Sequence, residues 1–194
     1  MKKSEINISE IKKLVTAELY DAFRSTVAKP ASKVAFTPSM LAKYIDHTLL
    51  KPEASISEIK KICEEAKKYK FASVCVNSHY IKFVSDSLAG SGVNPCAVAG
   101  FPLGAMMPEA KAGEALYCAN NGAKEIDMVI NIGAVKSGDW KLVHSDIEGV
   151  VKAVRGLATV KVILETCLLS DEEKVKACAV SKLAGAHFVK TSTG

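Results

Sequence analysis

Apolar and polar positions follow two different periods along the chain from Tyr44 to the last residue. Short apolar stretches are separated by longer segments in which apolar residues recur every three or four positions. The stretches predicted as strands are Tyr44–Thr48, Ala72–Asn77, Cys96–Phe101, Glu125–Asn131, Val160–Glu165 and His187–Lys190. This succession predicts repeated strand–helix units that form a parallel sheet.

Signals for the beginnings of helices lie between the predicted strands. Ser55 with Glu58, and Ser170 with Glu173, have the spacing of capping boxes. Asp139 is placed to cap a further helix. These positions agree with the strand–helix alternation and support it.

Residues 1–40 have a different character. Apolar residues lie on one face of a predicted amphipathic helix, and Pro30 and Pro38 then interrupt the pattern. The residues on that face are Ile11, Leu14, Val15, Leu19, Ala22 and Phe23. We therefore predict a helix and linker over residues 1–40, followed by one domain over residues 41–194.

A parallel sheet of this kind belongs either to a doubly wound open sheet or to a (β/α)8 barrel. A dinucleotide-binding open sheet needs glycines after its first strand, and the segment Asp46–Pro52 contains none. A barrel gathers polar residues at the carboxyl ends of many strands. Such residues are Asp46, Cys75, Asn77, Asp127, Asn131, Glu165 and Lys190. We predict an α/β fold of the (β/α)8 TIM-barrel type, incomplete, with about six of the eight strands.

Composition excludes several classes of protein. The chain has 194 residues, 48% of them hydrophobic and 24% charged, which is typical of a globular domain. No apolar run approaches the roughly 20 residues that cross a bilayer, so we expect no membrane partner. The net charge of +5 comes almost wholly from lysines, and aromatic residues are only 6%. Nucleic-acid binding is therefore not expected either.

Six cysteines are spread along the chain without the close spacing of a zinc site or a disulfide framework. The spacing therefore predicts no metal site, and we also expect no cofactor. Free thiols in apolar segments are typical of a reducing compartment, and we expect a cytoplasmic protein.

Lys190 ends an apolar strand and is the first candidate for chemistry. A lysine amine attacks a carbonyl only when it is neutral, and burial beside another cation lowers its pKa toward that state. The simpler interpretation of its position alone is a strand-end lysine that extends into solvent.

Other candidates lie on neighbouring predicted strands. Asp127 stands between Ile126 and Met128, where a carboxylate is costly unless it is paired. It is a candidate for proton transfer or for a buried partner of Lys190, and a purely structural carboxylate is the alternative. Lys161 is a second strand lysine, which we expect to depress the pKa of the neighbouring Lys190. His47 is a weaker site candidate, and Cys75 is either a reactive thiol or a core residue.

Several segments together resemble the deoxyribose-phosphate aldolase family. They follow one another in the order of that family from about Leu41 to the last residue. The segments are Ile45–Pro52, Val74–Asn77, Gly100–Ala105, Glu125–Gly133, Val160–Thr166 and Phe188–Gly194.

The resemblance implies a metal-free class I aldolase on a TIM barrel. Such an enzyme cleaves 2-deoxy-D-ribose 5-phosphate, a sugar phosphate, to acetaldehyde and D-glyceraldehyde 3-phosphate in deoxyribonucleotide catabolism. Lys190 matches the Schiff-base lysine of the family, and Asp127 matches its proton-transfer aspartate. Asp46, Cys75 and Lys161 are candidates for the vicinity of the substrate.

Two departures from the family qualify this expectation. Ser78 stands where the family usually has proline, and the family continues beyond Thr191–Gly194 with two more strand–helix units. Those units carry a second lysine and the phosphate-binding loops, so we expect impaired activity in the chain as given. The alternatives are a non-catalytic barrel remnant that acts as an interaction or assembly module, and an unrelated nucleotide-binding sheet. Self-association as a homo-oligomer is a further expectation, since an open sheet has unpaired edges.

Overall fold

The structure, a computed structural model, describes residues 37–194. The predicted amphipathic helix lies outside the described residues and stays a prediction. Pro38 was expected in the linker but begins a short helix, α1 (Pro38–Ala42). Proline suits this position because the first turn of a helix needs no backbone donor there. The side chain of Thr37 caps α1 by accepting from the backbone N–H of Met40.

Strands and helices alternate through the rest of the described chain. The strands are β1 (Asp46–Leu49), β2 (Ser73–Val76), β3 (Asn94–Ala99), β4 (Glu125–Val129), β5 (Thr159–Ile163) and β6 (Phe188–Lys190). The helices are α2 (Ile56–Tyr69), α3 (Ile81–Leu88), α4 (Pro108–Asn120), α5 (Ile132–Lys136), α6 (Trp140–Ala153) and α7 (Asp171–Leu183). Short 3-10 helices lie at Ser78–Tyr80 and Thr166–Leu168. Within residues 37–194, no helix combines the length and the apolar character needed to cross a membrane.

The predicted helix starts are confirmed. Ser55 and Glu58 form a complete capping box at α2, and Ser170 and Glu173 form another at α7. The Asp139 carboxylate caps α6 by accepting from the backbone N–H of Leu142 at 3.0 Å.

Helix α5 was not predicted. Asn131 was assigned to the end of a strand, but its Oδ1 accepts from the backbone N–H of Ala134 at 3.0 Å. This bond satisfies a donor at the start of α5, and asparagine is one of the residues that helix starts prefer. The change from strand to helix therefore comes two residues earlier than the apolar pattern indicates.

The six strands pair in chain order, and all five pairings are parallel. A doubly wound sheet reverses its strand order at a switch point, whereas sequential right-handed crossovers leave every helix on one face. The sheet order therefore excludes the doubly wound alternative and agrees with the predicted incomplete barrel.

The apolar core lies between the sheet and the helices. Outward-facing strand residues such as Val74, Ile126 and Val162 are fully buried, and they belong to clusters that include helix residues such as Ile59 and Ile147. A small cluster of buried residues on the inner face consists of Cys75, Cys96 and Val98. Alternate strand residues therefore point to two different environments, and the polar residues Asp46, Asp127 and Lys161 face inward.

The sheet is strongly curved. Lys161 Nζ on β5 lies 2.9 Å from Asp46 Oδ2 on β1, although three strands separate β1 from β5. In a flat sheet with strands about 4.8 Å apart, these two backbones would be separated by roughly 19 Å, beyond the combined reach of the side chains. The sheet therefore curls into a half-barrel, and polar groups from distant strands converge in its interior.

Candidate active site

All five residues predicted for the site lie together on the inner face of the half-barrel. They occupy five different strands, with only β3 contributing none of them. The residues are Asp46 on β1, Cys75 on β2, Asp127 on β4, Lys161 on β5 and Lys190 on β6. The curvature of the sheet converts their wide sequence separation into direct contacts.

Lys190 lies between two carboxylates. Its Nζ donates to Asp127 Oδ2 at 2.5 Å and lies 3.4 Å from Asp46 Oδ2. The side chain of Asp127 is 1% exposed, whereas that of Lys190 is 29% exposed. Solvent therefore reaches the side chain of Lys190, while its main partner is enclosed.

Lys161 connects the carboxylates behind Lys190. Its Nζ lies 2.9 Å from Asp46 Oδ2 and 3.3 Å from Asp127 Oδ1, and it also pairs with Glu125. The two oxygens of Asp127 therefore face different lysines. This arrangement fixes the plane of the carboxylate and leaves Oδ2 directed at the amine of Lys190.

The electrostatic balance of the cluster keeps both lysines protonated. Burial acts to lower the pKa of Lys190, but attraction to Asp127 and the hydrogen bond between them outweigh it, so the pKa is raised. Lys161 acts in the predicted direction and lowers the pKa of Lys190, but its contribution is smaller than that of Asp127. The net effect on the pKa of Lys190 is therefore a rise, although Lys161 acts against that rise as predicted.

Lys161 and Asp46 are both held in their charged forms. Burial acts to lower the pKa of Lys161, but the acidic groups around it outweigh burial, so the pKa is raised. Burial acts to raise the pKa of Asp46, but hydrogen bonds from Ser73 and Lys161 outweigh it and the pKa is lowered. The Ser73 hydroxyl donates to Asp46 Oδ1 at 2.7 Å.

Sequence reasoning missed three inner-face residues of the site: Ser73, Cys96 and Glu125. The signal for two of them was the two-residue period of a strand, because Ser73 lies two positions before Cys75 and Glu125 lies two before Asp127. Cys96 is found from the register, in which it is the partner of Cys75.

Other polar candidates have structural roles. His47 faces outward from β1, where its Nε2 lies 2.7 Å from Glu65 Oε2 on α2. Asn77 donates to the carbonyl oxygen of Leu50 at 3.2 Å. Glu165 accepts from the backbone N–H of Thr193 at 3.1 Å and thereby anchors the segment after β6. None of these three residues contacts the Lys190–Asp127 pair in the described chain.

A parallel half-barrel with an accessible lysine paired to an enclosed aspartate is typical of enzymes that act on carbonyl compounds through a lysine amine. The comparisons with known proteins identify the family within that class. The family model for the DeoC/LacD family aldolases matches residues 40–194. The chain belongs to this family, and the prediction of an aldolase is confirmed.

Relatives of known sequence agree with the family assignment. A deoxyribose-phosphate aldolase from Clostridium tetani is 60% identical over 154 residues, which are 79% of this chain and 71% of that protein. The corresponding protein from Clostridium novyi is 62% identical over 79% of this chain and 69% of its own length.

Solved structures agree with the fold. A structure assigned as a deoxyribose-phosphate aldolase from Coccidioides immitis matches with a TM-score of 0.85 at 36% identity, covering 98% of this chain and 74% of that one. The deoxyribose phosphate aldolase from Aeropyrum pernix, described as a unique tetramer, matches with a TM-score of 0.75 at 37% identity. That match covers 81% of this chain and 66% of the other. The predicted fold class is therefore confirmed.

Proposed function

We propose that the protein cleaves 2-deoxy-D-ribose 5-phosphate reversibly to acetaldehyde and D-glyceraldehyde 3-phosphate through a Schiff base on Lys190. The observation that carries this proposal is the 2.5 Å contact between Lys190 Nζ and Asp127 Oδ2 inside the half-barrel. One member of this pair supplies a nucleophile, and the other is positioned to accept and return its proton.

The first half of the reaction forms the imine. Lys190 transfers a proton to Asp127, and the neutral amine attacks the C1 aldehyde of the open-chain sugar. The resulting carbinolamine takes a proton on its hydroxyl from Asp127 and loses water. This leaves a protonated imine at C1 next to the Asp127 carboxylate, whose negative charge stabilises the cation.

The second half breaks the carbon–carbon bond. A proton leaves the C3 hydroxyl, with Asp127 accepting it through a water molecule, and the C2–C3 electron pair moves toward the imine nitrogen. C3 becomes the aldehyde carbon of glyceraldehyde 3-phosphate, and C2 becomes part of an enamine. Protonation of C2 and hydrolysis of the imine then release acetaldehyde and restore Lys190.

Lys161 and Asp46 support this chemistry as positioning residues. Lys161 contacts both Asp127 Oδ1 and Asp46 Oδ2 and therefore fixes the carboxylates on either side of the reactive amine. We place Asp46 and Cys75 in the vicinity of the substrate because both lie close to the Lys190–Asp127 pair.

The charge balance of the site predicts slow turnover at neutral pH. A lysine of ordinary pKa is neutral in about one molecule in 2,500 at pH 7. Since the pKa of Lys190 is raised, its neutral fraction is smaller still.

The proposal is tested by acetaldehyde release from 2-deoxy-D-ribose 5-phosphate, measured with an aldehyde-reducing enzyme and NADH. We expect a low rate that disappears in Lys190→Met and falls by about 10²- to 10⁴-fold in Asp127→Asn, since a proton-transfer group is removed. Lys182→Met is the control, because Lys182 is exposed on α7. A rate that Lys190→Met leaves unchanged contradicts the proposal. No release by the native chain favours the non-catalytic alternative.

We also propose that the protein self-associates in the cytoplasm. A structural relative from Aeropyrum pernix is described as tetrameric. The cysteines of this chain are all free thiols, which suits a reducing compartment. Sedimentation velocity of the purified chain tests the first point, with a single monomer boundary as the contradicting result.

A further inference from the structure

Two thiols and a carboxylate converge inside the half-barrel, beside the Lys190–Asp127 pair. Cys75 on β2 and Cys96 on β3 are directly paired in the strand register, and Asp127 lies on the next strand, β4. One ligand atom from each of the three residues lies within 4.8 Å of the others. Cys75 Sγ is 3.9 Å from Asp127 Oδ2. All three side chains are buried.

This donor set has the chemistry of a site for a thiophilic divalent cation. Zinc binds cysteine sulfur at about 2.3 Å and carboxylate oxygen at about 2.1 Å in tetrahedral geometry. Those bond lengths place a sulfur and an oxygen ligand roughly 3.6 Å apart, close to the 3.9 Å between Cys75 Sγ and Asp127 Oδ2. Three protein ligands leave the fourth position for water.

The surrounding charges tolerate such a cation. Binding releases the two thiol protons, so one divalent cation replaces two protons and the net charge of the interior is unchanged. The ammonium groups of Lys161 and Lys190 therefore meet no additional positive charge. The side chain of Lys190, which contacts Asp127, is 29% exposed, so solvent reaches the interior beside the proposed ligands.

We propose that Cys75, Cys96 and Asp127 form a binding site for a thiophilic divalent cation such as Zn²⁺, and that the bound cation takes Asp127 away from Lys190. Cation binding itself is independent of the proposed aldolase reaction. The consequence for activity rests on that reaction, since a coordinated Asp127 no longer exchanges protons with Lys190. The site is inhibitory and has no part in the catalytic steps.

The other cysteines provide the matched controls. Cys63 and Cys118 are buried in the outer core, and Cys167 and Cys178 are exposed. Cys167 Sγ lies 3.4 Å from Glu165 Oε1, so it is the surface thiol most apt to bind a cation nonspecifically. The double variant Cys167→Ser/Cys178→Ser removes both surface thiols and leaves the proposed site intact.

The test is a titration of the reduced full chain with Co²⁺, monitored through the thiolate-to-cobalt charge-transfer absorption. We expect one equivalent per chain, full retention of the band in Cys167→Ser/Cys178→Ser, and at least a tenfold loss of affinity in Cys75→Ser and in Cys96→Ser. Loss of the band in Cys167→Ser/Cys178→Ser overturns the proposal, and so does retention of the band in both Cys75→Ser and Cys96→Ser. None of these readouts requires aldolase activity, so the two proposals fail independently.

A second measurement needs no substitution and covers the case of an interior variant that does not fold. The native chain is alkylated slowly with a small maleimide, with and without one equivalent of Zn²⁺, and the modified cysteines are mapped by mass spectrometry. We expect Zn²⁺ to slow labelling of Cys75 and Cys96 at least tenfold and to leave Cys178 unchanged. Equal labelling of Cys75 and Cys96 with and without Zn²⁺ overturns the proposal.

Discussion

Lys111 and Asp146 form an ion pair in which neither side chain has any exposure to solvent. Lys111 on α4 donates to Asp146 Oδ2 on α6 at 2.5 Å, to the carbonyl oxygen of Val129 at 3.0 Å and to that of Gly104 at 3.1 Å. One ammonium group therefore joins two helices, the end of β4 and the loop that follows β3. We predict that Lys111→Met destabilises the protein strongly.

The magnitude follows from what the substitution leaves behind. The Asp146 carboxylate would remain fully buried without its cation, and among the described residues its Oδ1 already has no hydrogen-bond partner. Removing one partner of a buried ion pair costs about 3–5 kcal/mol. Since domains of this kind unfold with about 5–15 kcal/mol, the loss is a large part of the total stability.

The assay is urea unfolding monitored through the fluorescence of Trp140. This residue is the single tryptophan and lies on α6 with Asp146. The control is Lys82→Met, because the Lys82–Asp86 ion pair is more than half exposed and its loss costs at most about 1 kcal/mol. The double variant Lys111→Met/Asp146→Leu leaves no unpaired charge and should recover much of the stability lost in Lys111→Met.

The free energy of unfolding that is lost in Lys111→Met should also depend on pH. Burial raises the pKa of Asp146, and Lys111 opposes that rise. Without Lys111 the folded-state pKa moves further above the unfolded value of about 3.9, so the folded variant holds its proton more tightly than the unfolded chain does. The stability gap to the native chain should therefore widen once the pH rises above the already raised pKa that Asp146 has in the native fold. A loss below about 1 kcal/mol at pH 7, equal to that of Lys82→Met, would refute the reasoning.

The remaining predictions concern the reactive amine and the loop after β3. Because the pKa of Lys190 is raised, the rate of adduct formation with acetaldehyde and cyanoborohydride should climb about tenfold per pH unit between pH 7 and 9. Asp127→Asn should shift that profile to lower pH, and a native profile that is already flat above pH 7 would contradict the assignment. Gly104→Ala should lower the urea midpoint far more than Gly138→Ala, although both glycines have a φ near +68°. A Cβ at Gly104 would lie 1.9 Å from the carbonyl oxygen of Ile130, whereas one at Gly138 meets nothing within 4 Å. Equal losses in the two variants would show that backbone conformation, and not the close approach, requires glycine.

The sequence was informative wherever a local pattern decides the structure. The capping boxes at Ser55 and Ser170 are formed by residues three apart, so they are visible without any tertiary information. The six strands were found for the same reason, because each is an apolar stretch between helical segments. The spatial clustering of the five predicted residues followed as well, since alternate residues of parallel strands face the same side of the sheet and converge when the sheet curls toward a barrel.

Features that depend on distant contacts were not predictable. Lys111 lies on a helix, where a lysine is normally solvated, and only the fold brings Asp146 and two carbonyl groups around it. The pKa of Lys190 is raised because Asp127 is close enough to outweigh both burial and Lys161, a balance of distances that no sequence pattern contains. The pairing of Cys75 with Cys96 depends on strand register in the same way.

The central claim is that Lys190 forms the Schiff base, and borohydride trapping tests it most directly. The full chain is treated with limiting acetaldehyde and borohydride, and the N-ethylated lysine is located by peptide mass mapping. The Asp127 carboxylate, 2.5 Å from the amine, stabilises a cationic imine as it stabilises the ammonium, so the label should concentrate on Lys190. That preference should vanish in Asp127→Asn. Label spread evenly over the surface lysines of the native chain, or concentrated on Lys161, would contradict the account.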